Sequence, residues 1–173
     1  MKKIILLLIF VYFHSDFSAQ NLNEKIFDEK AQQEILIGHC DLNGLKSEPF
    51  DEWFKPEFEN YISDKKILKK IKKEKFNSLY EIKIIMGTWC SDSRREVPRF
   101  YTILSKLKFD YKKITLINVD RKKEASSTNV NQLDISRVPT FIVYKSNKEI
   151  GRIVEAPKET LEIDLLKIIK TKF

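Results

Sequence analysis

Cys90 is the residue whose type and position best suit nucleophilic chemistry. It follows an apolar run and precedes a segment with helical spacing, which places its thiol at a helix N-terminus. Unpaired backbone N–H groups and the positive end of the helix dipole favour a thiolate there, and the thiolate is the reactive form of cysteine. Ser93 would lie about one turn further along, where its hydroxyl could donate a hydrogen bond to the sulfur. We therefore expect Cys90 to act as a nucleophile and Ser93 to support its anionic form.

Charged residues follow the cysteine directly. Arg94 and Arg95 add positive charge near the thiol, whereas Asp92 adds negative charge. Positive charge favours a thiolate and negative charge opposes it. The sum of these charges predicts a favourable environment for the anion.

Other sulfur and imidazole groups are few. Beyond residue 19, Cys40 is the second cysteine and His39 is the one histidine. These groups are too few for a cysteine and histidine metal site, so we expect no metal. A hydrolase also fits poorly, because His39 and Cys40 would point to opposite sides of a strand and no base is placed beside Cys90. Cys40 is either an inert buried thiol or the thiol that resolves a disulfide at Cys90.

A strand, a helix and a second strand are predicted around Cys90. Residues 80–86 and 114–119 are apolar runs rich in β-formers, and apolar residues at helical spacing from Val97 to Leu104 separate them. This order is typical of a βαβ unit with parallel strands. A hairpin over 140–154 and a final amphipathic helix follow it, which predicts a mixed sheet flanked by helices.

The segment before this unit has a helical pattern from about residue 21 to 77. Pro56 suits the first turn of one helix, and Ser63 or Asp64 could cap a lysine-rich helix over 65–75. Apolar residues recur at helical spacing among those lysines, so we interpret them as a solvated helix face. Despite the formal charge of +7, we expect no nucleic acid partner.

The first 19 residues have the layout of a secretory signal peptide. Lys2 and Lys3 precede an apolar run over 4–13, and small residues close the segment. The apolar run is shorter than the roughly 20 residues of a membrane-spanning helix. We therefore expect an exported protein, periplasmic or secreted, with no stable membrane anchor after cleavage. The predicted division is a signal peptide over 1–19, an N-terminal helical extension over 20–64 and one further domain over 65–173.

Several short motifs, taken in order, resemble the thioredoxin superfamily. They are Gly-Thr-Trp-Cys at 87–90, Pro98 in the next helix, Asn-Val-Asp at 118–120 and Val-Pro-Thr at 138–140. Within that superfamily, the run over 87–100 resembles exported thioredoxin-like proteins of Bacteroidetes-type bacteria, here with a Cys-x-x-Ser variant. The resemblance covers about residues 65–173 and implies a thioredoxin-like α/β fold.

The resemblance also implies roles for individual residues. Trp89 would flank the nucleophile. Pro139 would follow a cis peptide bond and bring the Val138 backbone beside Cys90, and Thr140 would complete a groove for an extended peptide or a thiol. The implied partners are protein or small-molecule thiols and disulfides, and no cofactor is implied.

Three positions depart from the family pattern. Ser93 stands where a second cysteine would attack the mixed disulfide and release the product. Ile84 replaces a buried acid, and Glu155 or Ala156 replaces a glycine after the last strand. The sequence therefore predicts single-cysteine thiol–disulfide exchange, resolved by an external thiol or by Cys40. The alternative is a binding module that keeps the groove but has no redox activity.

Overall fold

The computed structural model describes residues 21–30 and 32–171; the predicted signal peptide lies outside them. In the part of the chain that is described, no helix is long and apolar enough to cross a membrane. The strands are β1 (Glu24–Asp28), β2 (Gln33–Cys40), β3 (Tyr80–Met86), β4 (Ile114–Asn118), β5 (Thr140–Lys145) and β6 (Lys148–Val154). The α-helices are α1 (Leu42–Leu45), α2 (Asp51–Asn60), α3 (Lys65–Lys73), α4 (Phe76–Leu79), α5 (Ser91–Leu107) and α6 (Leu161–Lys170).

The six strands form one mixed sheet in the order β1-β2-β4-β3-β5-β6. The central pair β3 and β4 is parallel, as the βαβ pattern predicts, and every other neighbouring pair is antiparallel. The predicted fold class, a mixed sheet flanked by helices, is confirmed. The predicted hairpin is also present: Ser146 and Asn147 link β5 to β6 with positive φ angles of 50° and 60°, the conformation of a two-residue hairpin turn.

Side chains of β3 alternate between two apolar clusters, one on each face of the sheet. Ile84 and Met86 belong to the larger cluster, which contains residues of α2, α3, α5 and α6. Ile85 points to the smaller cluster, which the segment between β4 and β5 covers. Trp89 and Cys90 pack against this smaller cluster. Cys90, which follows the end of β3, therefore lies between the helices on one face of the sheet and the segment between β4 and β5 on the other.

The N-terminal segment differs from the expected helical extension. Residues 24–28 and 33–40 form a β-hairpin, and helical structure starts only at α1. The helical prediction is wrong for these two stretches, because β2 is buried on both faces and its apolar run carries no helical period. Its backbone groups are instead paired with β1 on one side and with β4 on the other. The predicted boundary between residues 64 and 65 stays a prediction.

Two details of the N-terminal helices decide between sequence alternatives. Pro56 does not begin a new helix but lies inside α2. Because proline has no N–H group, the Glu52 carbonyl lacks its helical donor. Both residues are exposed, so water can bind that carbonyl. Asp64, rather than Ser63, caps α3, and its carboxylate accepts the N–H groups of Lys66 and Ile67.

Candidate functional site

Cys90 is the N-cap residue of α5, where the sequence places it. Its own N–H donates to the Gly87 carbonyl over 2.9 Å, and its carbonyl accepts the Arg94 N–H over 3.0 Å. The residue is partly exposed and its thiol is free. The strand-to-helix turn therefore presents the sulfur at the start of α5, next to backbone N–H groups that have no helical acceptor.

The loop before β5 lies opposite the thiol. The Val138–Pro139 peptide bond is cis, and the Cys90 thiol donates to the Val138 carbonyl with an Sγ–O distance of 3.4 Å. The two neighbouring carbonyls are already bonded. Arg137 accepts from the Thr140 hydroxyl over 2.6 Å, and Pro139 accepts from the Glu155 N–H over 2.7 Å. The structure thus brings together the predicted residues of both segments, with Thr140 buried beneath the loop.

Contacts on several sides position the Trp89 ring next to the nucleophile. Its indole Nε1 donates to the Val119 carbonyl over 2.8 Å. The ring lies against Gly87, where an added Cβ would come within 2.5 Å of indole atoms. The Arg121 guanidinium lies 5.0 Å from the ring centroid on the indole face. Glycine at 87 is therefore required by the close approach of the ring.

Thr88 joins the N-terminal hairpin to the Cys90 turn, a role that the sequence reasoning missed. It is fully buried, and its hydroxyl accepts the Leu36 N–H of β2 over 3.0 Å. Its carbonyl accepts the Arg94 Nε–H over 2.5 Å. No local signal reveals this contact, because Leu36 is 52 residues away in the chain.

The two arginines after Cys90 have different surroundings. Arg95 pairs with Asp92 over 2.8 Å and with Glu96 over 2.6 Å. The hydrogen bond to Glu96 is the main cause that raises the pKa of the Arg95 guanidinium. Its charge is therefore largely balanced by neighbouring carboxylates.

Arg94 instead lies beside the turn before Cys90, where its Nε donates to the Thr88 carbonyl. Its guanidinium is 5.9 Å from the Trp53 ring centroid. Burial lowers the pKa of Arg94, and the nearby Cys90 sulfur acts in the opposite direction. Arg94 is thus the cation that the site places beside the thiol.

Ser93 lies on the buried side of α5. It is fully buried, and its Oγ accepts the Gly87 N–H over 3.3 Å. This bond stabilises the turn before the helix. The role of Ser93 as a hydrogen-bond donor to the thiolate stays a prediction.

Cys40 lies in β2, far from Cys90, which follows the end of β3. It is in register with Leu116 of β4, and β4 separates β2 from β3. Two strand spacings amount to about 10 Å, more than the roughly 7 Å that a disulfide can span between Cα atoms. Burial raises the pKa of the Cys40 thiol from 9.0 to about 11. The structure therefore does not bring Cys40 to Cys90.

Glu155 occupies the backbone position that favours glycine. Its φ angle is +65°, in the left-handed region, and it follows β6 directly. Its carboxylate pairs with Arg137 rather than with the thiol. Within residues 21–30 and 32–171, no group of three or more His, Cys, Asp or Glu side chains could hold a metal ion.

Comparisons with known proteins agree with this fold. The family model for thioredoxin matches residues 56–167. Mitochondrial thioredoxin O of Oryza sativa subsp. japonica is 29% identical over 96 residues, 56% of this chain and 51% of that protein. Thioredoxin H5 of the same plant is 32% identical over 74 residues, 43% of this chain and 50% of that protein.

The chain spans about half the length of these curated relatives. A solved structure of a protein of unknown function from Pseudomonas aeruginosa aligns with a TM-score of 0.55 at 16% identity. It covers 78% of this chain and 93% of that one, and supports the fold alone. Because the thioredoxin model matches more than half of the chain, including Cys90 and the Val138–Pro139 loop, the chain belongs to the thioredoxin family.

Proposed function

We propose that this protein carries out thiol–disulfide exchange with Cys90 as its one exchanging cysteine. The observation that carries the proposal is the position of the Cys90 sulfur at the start of α5, 3.4 Å from the Val138 carbonyl. Membership of the thioredoxin family and the names of the curated relatives support thiol–disulfide chemistry.

The reaction has two balanced exchange steps. The Cys90 thiolate attacks one sulfur of a client disulfide, a Cys90–client S–S bond forms, and the other client sulfur leaves as a thiolate that takes up a proton. The thiolate of an external thiol then attacks the client sulfur of the mixed disulfide, an S–S bond forms between the client and the external thiol, and the Cys90–client bond breaks so that Cys90 leaves as a thiolate. Two features favour an external thiol: Ser93 has no sulfur, and Cys40 lies two strand spacings from β3.

The finer identity rests on the sequence. We propose an exported protein, periplasmic or secreted, from the thioredoxin-like proteins of Bacteroidetes-type bacteria with a Cys-x-x-Ser motif. The basic and apolar layout of residues 1–19 supports export, and the run over 87–100 supports the subgroup.

Mass spectrometry of the purified chain tests the proposal. After incubation with oxidised glutathione, we expect one mixed disulfide on Cys90, and added dithiothreitol should remove it. Cys90→Ser should abolish the adduct and any turnover of insulin or glutathione disulfide, whereas Cys40→Ala should retain both.

The outcomes separate the two functions. An adduct that persists in Cys90→Ser would refute Cys90 as the nucleophile. Peptide binding without any adduct in the wild-type chain would refute exchange and support the redox-inactive binding module.

A further inference from the structure

One arginine near the nucleophile has no acidic partner among the residues that the structure describes. All six arginines of the chain lie in the described residues, and five of them form ion pairs there: Arg95, Arg99, Arg121, Arg137 and Arg152. Within the same residues Arg94 forms none. Its hydrogen bond to the Thr88 carbonyl uses Nε, so that both terminal guanidinium nitrogens stay available in this part of the chain.

The Arg94 guanidinium lies near Cys90. Arg94 follows Cys90 by four residues at the start of α5, one helical turn. Its guanidinium and the Cys90 sulfur interact electrostatically, and so do Arg94 and Arg121. Trp53 lies along the guanidinium of Arg94 and Trp89 along that of Arg121. Arg94 is therefore a cation near the thiol, and the Trp53 indole backs its guanidinium.

The half-buried guanidinium of Arg94 has lost part of its hydration, and its anionic neighbour, the Cys90 thiolate, becomes neutral when it forms the mixed disulfide. A carboxylate is the group that a guanidinium binds best, through two parallel N–H···O bonds. A disulfide that carries a carboxylate near the attacked sulfur would supply a counter-charge when its sulfur reaches Cys90. A neutral disulfide would not, and a cationic one would be repelled.

We propose that Arg94 makes the exchange selective for disulfides that carry a carboxylate close to the attacked sulfur. This inference rests on the proposed exchange at Cys90. The bonds made and broken are the same as in the proposed exchange: a bond forms between Cys90 and the attacked sulfur, whose half of the client carries the carboxylate, the client S–S bond breaks, and the other half leaves as a thiolate that takes up a proton. Arg94 holds the carboxylate of the client during the attack.

The test compares three small disulfides of similar size and different charge: dithiodipropionate, bis(2-hydroxyethyl) disulfide and cystamine. The rate of mixed-disulfide formation on Cys90 is measured for each by mass spectrometry, and the anionic rate is divided by the neutral rate. We expect Arg94→Gln to lower this ratio about tenfold, the size of a charge-assisted hydrogen bond. Arg94→Lys should retain part of the preference for the anionic disulfide. Added salt should lower the ratio of the anionic to the neutral rate in the wild type.

Arg99→Gln is the matched control, because Arg99 lies on the same helix and pairs with Glu57; its ratio should equal that of the wild type. Since each ratio is internal to one variant, a uniform loss of reactivity towards all three disulfides does not change its meaning. An equal ratio in the wild type and Arg94→Gln would overturn the selectivity alone. A wild-type chain that reacts with none of the three disulfides would overturn the exchange and this inference together.

Discussion

Thr88 shows how a single side chain connects distant parts of the chain at the site. Its hydroxyl binds the Leu36 amide of β2, and its carbonyl binds the Arg94 side chain of α5. The residue directly precedes Trp89 and Cys90 in the turn. The position of the nucleophile therefore depends on the N-terminal hairpin as well as on α5.

Replacing this hydroxyl tests the connection. Thr88→Val keeps the shape of the side chain but leaves the Leu36 N–H without its acceptor in a buried place. We expect the free energy of unfolding to fall by about 1–3 kcal/mol, the cost of an unsatisfied buried donor, as measured by urea denaturation.

Thr88→Ser is the matched control because it keeps the hydroxyl. It should retain most of the stability that the valine variant loses, apart from the lost methyl group. Equal stability of the valine variant and the wild type would show that the Leu36–Thr88 bond contributes nothing to folding.

At the scale of elements, α3 depends on one N-terminal carboxylate. Asp64 accepts two backbone N–H groups, and the first turn of the helix contains no acidic residue. We expect Asp64→Ala to lower the free energy of unfolding by about 1 kcal/mol, because the cap and its charge at the positive helix end are both lost. Thermal or urea denaturation measures this effect.

Asp64→Asn separates the two contributions, since the amide oxygen can still accept the same N–H groups. Its stability should lie close to that of the wild type. An alanine variant as stable as the asparagine variant would contradict the capping role.

The elements from β3 to α6 could be predicted because the spacing of their apolar residues clearly indicates a strand or a helix. The strand over 80–86 is bounded in the structure as in the prediction, and α5 and the β5–β6 hairpin lie where apolar spacing and turn residues place them. The β1–β2 hairpin could not be predicted in this way. Four of the five residues of β1 are exposed, and the neighbouring residues Ile35 and Leu36 of β2 are both buried. Neither strand therefore shows the alternation of buried and exposed residues from which a strand is predicted.

The candidate site could be predicted only where the motif is local. Cys90 and Trp89 stand together in the sequence, and the Val138–Pro139 pair comes from the family resemblance. The contributions of Thr88 and Arg94 depend on which partners the fold supplies. The sequence shows a positive charge at 94, but not that none of the described acidic residues forms an ion pair with it.

At the scale of the whole molecule, the buried Cys40 thiol links stability to pH. Burial raises its pKa from 9.0 to about 11, so the folded chain keeps a proton that the unfolded chain releases within this window. Its contribution to stability is complete below pH 9 and is lost as the pH rises towards 11. From about pH 8 to pH 10 we expect Cys40 to remove about 1 kcal/mol from the free energy of unfolding.

Cys40→Ala isolates this effect, because lysines and tyrosines titrate in the same range in both chains. Urea denaturation of both chains at several pH values should give curves that converge as the pH rises. Parallel curves would show that the Cys40 thiol has the same proton affinity in the folded and unfolded states.

The β1–β2 hairpin also determines where the chain can be shortened. The family match begins at residue 56, but a truncation there would remove β2 and leave β4 as a bare outer strand, whose open N–H and C=O groups can recruit other chains. The truncation would also remove the hydrogen bond from the Leu36 amide to the Thr88 hydroxyl. A recombinant fragment should therefore start before β1, so that it contains both strands of the hairpin. If a shorter fragment precipitates, the exposed edge strand β4 explains it, and the result says nothing about the reactivity of Cys90.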